Sequence, residues 1–317
     1  MFEKFIYREP KHGIRHLYPE EWDFATEVVL TEYSYMQDTH IIPISSTTKN
    51  VDSTPGYPKF EYWDSEYSYL EECGFREYYE TWDQIKDKDF DENPLWWSFL
   101  KMETTKQEKI KQQDYRMIMC TDPVFTRIGA CFEQHQNELM KSHTLQKAGQ
   151  MGWTPFKGGI DYTLRRIAKN SQYFLELDWT RFDGTIPSEV YFHIKQLRFF
   201  FLHEVHHTRE NWNRYQWYVK NLVQKYVVIP TGEVTMISRG NPSGQISTTS
   251  DNIMVNTFLT AFEYKYQALR EGRVVKIQDF FKEHKSICYG DDRLSGVSYL
   301  PNKELIIDMY EQIFGMW

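Results

Sequence analysis

The chain has 317 residues, 41% of them hydrophobic and 17% aromatic, with a net charge of −8 at neutral pH. That is ample sequence for a folded core, and the acidic balance argues against a general nucleic-acid binder, which carries a basic excess, while leaving room for a local basic channel. No apolar run approaches the roughly 20 residues of a membrane span. Cys73, Cys120, Cys131 and Cys288 form no CxxC pair and read as reduced, intracellular thiols rather than a disulfide frame or a zinc site. The opening Met1–Arg8 is not a signal-peptide pattern.

Residues 1–60 read as mixed and irregular. Within them Ser53-Thr54-Pro55-Gly56-Tyr57-Pro58 is expected to be an exposed loop, its prolines fixing a bend and holding an aromatic ring out. Residues 59–100 alternate acids with Tyr62, Trp63, Tyr67, Tyr69, Tyr78, Tyr79 and Trp82 at roughly helical spacing, which predicts rings in the core and acids on a solvated face. Lys101 to Arg116 is the basic stretch of an acidic chain, carrying Lys101, Lys106, Lys109, Lys111 and Arg116 with Glu103 among them. It precedes a short apolar strand, Met117–Cys120. Such side chains either hold phosphates or make a solvated helix face. An amphipathic helix is predicted over 122–140 and a loop or hinge over 141–160. Lys157-Gly158-Gly159 lacks the GK[ST] arrangement of a phosphate loop.

Tyr173–Asp178 reads as a strand ending in an acid, with Asp183 following five positions later. An acid at a strand end that faces a helix start is a common place for a metal ligand. Pro187-Ser188-Glu189 begins a helix, predicted to run through Leu202 and into His203-Glu204-Val205-His206-His207. A zinc-peptidase reading of that segment needs His203 and His207 on one helical face, Glu204 as base and a third ligand nearby, for which no candidate stands in the right context. The alternative is ordinary surface or packing histidines. Val227–Ile229 and Val234–Ile237 flank a Thr231-Gly232-Glu233 turn and read as a β-hairpin.

The stretch from Arg239 through Ser243, Gly244 and Thr248 to Asn252 is a Gly/Pro/Ser loop entering a helix rich in hydroxyls, continuing to about Gln267. It suits phosphate or sugar hydroxyls, or is simply a polar N-capped helix. Ser286–Asp292 then places two adjacent carboxylates, Asp291 and Asp292, after a glycine. Hard oxygen ligands that repel one another suit Mg²⁺ or Mn²⁺, while an Asp-rich surface turn is the plainer reading.

Taken in order, Asp178-x₄-Asp183 after a strand, Ser243-Gly244-x₃-Thr248-x₃-Asn252 on a helix and Tyr289-Gly290-Asp291-Asp292 on a hairpin resemble motifs A, B and C of viral RNA-dependent RNA polymerases. Asp178-Trp179-Thr180-Arg181-Phe182-Asp183-Gly184 and Gly240-Asn241-Pro242-Ser243-Gly244-Gln245 look like the astrovirus branch of the picornavirus-like supergroup. Ser53–Pro58 is similar to the motif G loop, and Lys101–Ile118 to motif F, with Thr105 where that motif has an arginine.

The resemblance covers essentially the whole chain and implies an α+β right hand. Fingers would span about 1–170, returning at about 205–240, and a palm 171–317. The motif D lysine, motif E and thumb find no counterpart, so a polymerase truncated before its thumb is expected, with weak or no turnover. The activity implied is template-directed transfer of NTPs to an RNA 3′ end. Asp178, Asp291 and Asp292 would be catalytic and hold two Mg²⁺ (or Mn²⁺) ions. Lys106, Lys109 and Arg116 would bind the triphosphate, and Asp183, Ser243, Thr248 and Asn252 would check the ribose 2′-hydroxyl. Ser53, Thr54, Pro55, Gly56 and Gly244 would contact template RNA. Implied partners are the RNA template and nascent strand, NTPs, a protein primer and other viral replication proteins, at membrane-associated replication complexes in the host cytoplasm. Two rival readings are the zinc metallopeptidase and an inactive RNA-binding fragment of the same fold.

Overall fold

The computed structural model describes residues 13–317. The Met1–Arg8 segment, judged above for a targeting pattern, lies outside the described residues. The chain forms two compact units: residues 38–135 with 198–248, and residues 13–37 with 136–197 and 249–317. Among the described residues the strands in chain order are β1 (Leu95–Leu100), β2 (Met117–Cys120), β3 (Tyr173–Leu177), β4 (Lys225–Val228), β5 (Val234–Ile237), β6 (His284–Tyr289) and β7 (Asp292–Val297). No helix is long and apolar enough to cross a membrane among these residues.

The first unit holds a four-stranded sheet in the order β2-β1-β4-β5. β1 pairs antiparallel with β2 and parallel with β4, and β4–β5 is the predicted hairpin. β1 itself departs from the helical expectation for 59–100, which holds only over Glu66–Cys73 and Arg76–Gln84. The preceding helix has ended at Gln84, and past Pro94 Trp96 and Ser98 turn inward with a period of two. Trp96 is fully buried and satisfies its indole N–H on the Asn221 carbonyl at 3.1 Å. The predicted amphipathic helix is present as Pro123–Ser142. One of its residues, Gly129, is required by packing: a Cβ there would meet the Tyr218 ring at 2.5 Å.

The second unit is organised on the helix Thr248–Arg270, 23 residues long and buried over most of its length. Met254, Val255, Phe258 and Phe262 share one face, and Ile253, Asn256 and Thr260 on the opposite face are inside as well, so the helix is buried all round. Residues 13–60 are less irregular than expected. Pro19–Glu32 forms a helix with proline in its first turn, and its Trp22 meets Phe258 edge-on at 4.9 Å. A helix made of Trp, Phe and β-branched Val and buried along one side shows weak periodicity in sequence. The sheet of this unit is β3-β7-β6, antiparallel throughout. The loop expected over 141–160 is fastened to it: Cys288 N–H donates to the Ala148 carbonyl at 2.8 Å, and Gln150 N–H to the Cys288 carbonyl at 2.9 Å.

Candidate active site

The β6–β7 hairpin closes through the pair Tyr289↔Asp292, leaving Gly290 and Asp291 as its two-residue loop. Gly290 has φ +63, and glycine at the first loop position is what such a tight hairpin demands. β3 runs antiparallel to β7 as far as Leu177↔Arg293, and the next step of that register sets Asp178 opposite Asp292. Three carboxylates from two distant points of the chain therefore share one end of one sheet. The Asp292 carboxyl is held above its usual range by partial burial and by the charges of Asp291 and Asp178.

The hairpin rests on buried polar groups. Asn256, one turn beyond Asn252 on the long helix, donates its side-chain amide to the Asp291 carbonyl at 3.0 Å. Arg293, next to Asp292, is buried and donates to Glu263 at 2.8 Å and to Thr260 at 2.5 Å. Tyr310 donates to the same Glu263 carboxylate at 2.7 Å, and its ring meets Trp179, beside Asp178, at 4.7 Å. Asp183 stands on the short helix Phe182–Thr185, whose cap Arg181 adopts φ +60. Asn252 donates to the Asp183 carboxylate at 2.5 Å. Lys195 and Tyr191 engage the neighbouring Asp251 at 2.6 and 3.0 Å, all three buried.

The remaining predicted residues lie in the first unit. Lys101 N–H donates to the Arg116 carbonyl at 2.9 Å, so the basic stretch is a connection between paired strands. Lys106 and Lys109 are exposed on and beside the short helix Gln107–Lys111. Arg116 lies 3.5 Å from Glu103, whose carboxyl is held low by its bond to Lys101 and by the Arg116 charge. Thr54 and Gly56 line a groove of about 420 Å³ with Phe60, Trp97 and Phe99, while Ser53 accepts from Lys49 at 2.8 Å. This loop differs from expectation. Pro55 and Gly56 are buried, and the Tyr57 ring is stacked on Trp97 at 5.7 Å instead of being held out. Gly56 has φ +70, and a Cβ there would meet the Thr121 carbonyl oxygen at 2.5 Å. Gly244 is constrained in the same way by the Met119 carbonyl, at 2.2 Å from an added Cβ. Ser243 donates to the Met117 carbonyl at 3.2 Å, while Thr248 turns its hydroxyl back to the Pro242 carbonyl at 2.9 Å.

A family model described as viral RNA-dependent RNA polymerase matches residues 13–317. The chain belongs to the viral RNA-dependent RNA polymerase family. It is 50% identical over 325 residues to the non-structural polyprotein 1AB of Turkey astrovirus 2, covering 100% of this chain and 20% of that protein. With the same polyprotein of Human astrovirus-1 it shares 45% over 320 residues, covering 100% of this chain and 22% of the relative. The chain thus spans about a fifth of the curated relatives it matches. Among solved structures it is similar to the Sicinivirus 3Dpol RNA dependent RNA polymerase, with a TM-score of 0.76 at 18% identity, over 98% of this chain and 63% of that one. That likeness bears on the fold alone.

Within this polymerase family chain the His203-Glu204-x-x-His207 segment does not form a zinc site. The helix expected to carry it stops at Phe200, and Glu204–His206 is a single 3₁₀ turn. His203 Nδ1 caps that turn by accepting the Val205 N–H at 3.2 Å, and His207 Nε2 lies 3.2 Å from the Phe199 carbonyl. The histidines therefore serve the local chain. For the acids the donor chemistry suits a hard cation, although no group of three or more ligating side chains is gathered into a binding cluster among the described residues. Asn256, Glu263 and Arg293 were not anticipated. Asn256 could have been found from its place four residues after Asn252, on the same helical face. The Arg293–Glu263 pair joins positions 30 apart and leaves no local signal.

Proposed function

We propose that this chain supplies the fingers and palm of an RNA-directed RNA polymerase of astrovirus type, fingers over about 1–170 with a return at 205–240 and palm over 171–317. What supports this reading most is the β3–β7 register, which, extended one step past Leu177↔Arg293, sets Asp178 opposite Asp292 beside the turn that carries Asp291. Asp178, Asp291 and Asp292 would hold Mg²⁺ or Mn²⁺, two ions in all, and the bound ions supply charge neutralisation at the triphosphate and acidify the attacking hydroxyl. The primer 3′-oxygen forms its bond to the α-phosphorus of an NTP as the bond to the departing pyrophosphate breaks, and the hydroxyl proton leaves to solvent. The chain's acids keep the reacting groups at the hairpin. Lys106, Lys109 and Arg116 receive the triphosphate charge, Arg116 through its planar fork.

Asp183 and Asn252, already bonded to each other, present an amide and a carboxylate suited to reading a ribose 2′-hydroxyl. Ser243 and Thr248 belong to the same reading. Ser53–Gly56 and Gly244 would meet the template backbone, where close approach favours small residues. RNA, NTPs, a protein primer and other viral replication proteins at membrane-associated complexes in the host cytoplasm are the partners and setting this role entails. The decisive experiment is primer extension on an RNA template by the polymerase with Asp291→Ala. Extension should be lost while the melting temperature stays within about 2 °C of the parent, since Asp291 is an exposed loop residue. Extension at the parental rate would remove the acids from the chemistry.

A further inference from the structure

Lys225 opens β4 and is buried, and among the described residues its ammonium pairs with no carboxylate. Four main-chain carbonyls take the charge instead. Two close the helix Arg209–Val223, Leu222 at 2.7 Å and Val223 at 3.1 Å. Two follow β5, Arg239 at 3.0 Å and Gly240 at 3.2 Å. An ammonium has three N–H donors, so this cage leaves none of them unmet. The last carbonyls of a helix have no partner within it and lie at the negative end of its dipole, which suits a cation there. Burying a charge is costly unless hydrogen bonds replace the water it loses, and here they come from two separate stretches of chain. A methionine would fill the same length without that cost, so what the charge adds is the tie between the two stretches.

The second stretch is the root of the loop that carries Ser243, Gly244 and Thr248. Bonds inside that loop bind it into one piece. Asn241 donates to the Thr248 carbonyl at 3.1 Å and accepts from Gln245 at 3.0 Å, and Gln245 accepts the Ser247 N–H at 2.7 Å. The piece joins β5 through Gly240, which has φ +74, and glycine is the residue with the widest backbone freedom. Lys225 acts on that joint. The Arg239 carbonyl belongs to the peptide plane before Gly240 and the Gly240 carbonyl to the plane after it, and a residue's two soft torsions are fixed once both of its flanking planes are held. Ser243, at the far side of the joint, is exposed.

We propose that Lys225 is a positioning residue for the Ser243–Thr248 loop: by holding both peptide planes of Gly240 it sets where the Ser243 hydroxyl stands toward the ribose of an incoming nucleotide, a role that rests on the proposal above that this loop meets the sugar. Lys225 touches no substrate. It acts through the backbone of the loop alone, and its charge serves the cage and not the triphosphate.

The test replaces Lys225 by methionine, which keeps the length of the side chain and removes its donors. Ile128→Ala, buried in the helix Pro123–Ser142 of the same unit, controls for lost stability. Hydrogen exchange of the 240–248 amides, compared equally far below each melting temperature, reads the loop without catalysis. It should quicken at least about tenfold in Lys225→Met and less than about twofold in the control. In primer extension the ratio of kcat/KM for NTP over dNTP should fall about fivefold in Lys225→Met and stay parental in the control. Ser243→Ala separates the two levels. A narrowed ratio there, with parental exchange and a parental ratio in Lys225→Met, overturns the role of Lys225. A parental ratio in Ser243→Ala overturns the sugar reading of the loop, and this role with it. Should Lys225→Met not fold, Lys225→Gln, a shorter arm without the charge, should show the same two changes more weakly, and parental exchange with a parental ratio in that variant overturns the assignment.

Discussion

The acids and the bases of this polymerase family chain are held in opposite ways. In the second unit Asp178, Asp291 and Asp292 are presented at the end of a three-stranded sheet, and the residue after them, Arg293, is tied into a buried network with Glu263, Thr260 and Tyr310. In the first unit Lys106, Lys109 and Arg116 are exposed on the connection between β1 and β2, with Glu103 as the carboxylate close to Arg116. Under the proposed function the difference follows from what each set would have to meet. Carboxylates that share cations need positions fixed to a fraction of an ångström, which only buried, fully determined neighbours provide. Cations that neutralise a spread-out phosphate charge act over longer distances and tolerate looser support.

The comparison can be tested hardest at Glu263. Glu263→Leu leaves Arg293 buried without its acid, which costs about 3–5 kcal/mol and should lower the melting temperature by roughly 10 °C. Glu263→Leu combined with Arg293→Met should recover most of that loss, and calorimetry of the two variants decides whether the pair acts as one unit. Arg116→Gln comes next. It should lower kcat/KM for NTPs about tenfold in primer extension while the melting temperature stays within about 1 °C. A drop of several degrees would show that the bases are built into the fold after all. Asn252→Ala removes the amide beside Asp183 and should narrow the preference for NTP over dNTP about fivefold, measured as a ratio of kcat/KM values; an unchanged ratio takes Asn252 out of sugar selection.

The smallest effect belongs to Asp292. Its carboxyl is raised by burial, Asp291 and Asp178, so the folded state holds a proton more tightly than the unfolded chain. That contribution is present in acid and is lost as the pH rises through the folded-state value. Asp292→Asn should therefore raise the melting temperature by about 1–3 °C at pH 7 and by less at pH 4, in the absence of divalent cations. An equal gain at both values would remove charge repulsion as its cause.

Much of this arrangement could be read from residues close together in sequence. The strand leading into Asp178, the helix Pro123–Ser142, the β4–β5 hairpin and the turn at Gly290 follow from apolar runs bounded by Gly, Pro and acids, and the structure has all of them, the strand ending one residue early at Leu177. β1 was hidden because aromatic residues at roughly helical spacing upstream carry the helical reading forward, and only Pro94 marks the change. The helix Pro19–Glu32 was hidden because its buried side includes the charged Glu21, which blurs the period. His203–His207 misled because a motif carries no record of where its helix ends, and here the end comes at Phe200. The supports of the site were out of reach altogether. Tyr310 and Glu263 meet across 47 residues, and Lys195 and Asp251 are likewise distant in sequence.

The buried Arg293–Glu263 pair also constrains how this sequence can drift. Either residue replaced alone strands a charge in the interior, whereas both replaced together by apolar side chains of similar volume leave a core that is near neutral or more stable. Single-step histories between the charged and apolar versions must cross a valley of low stability. Positions 263 and 293 should accordingly be inherited as a couple, charged together or apolar together, across chains that share this hairpin. The residue following the acid pair would then vary between lineages in step with one helix position far upstream, and seldom within a lineage.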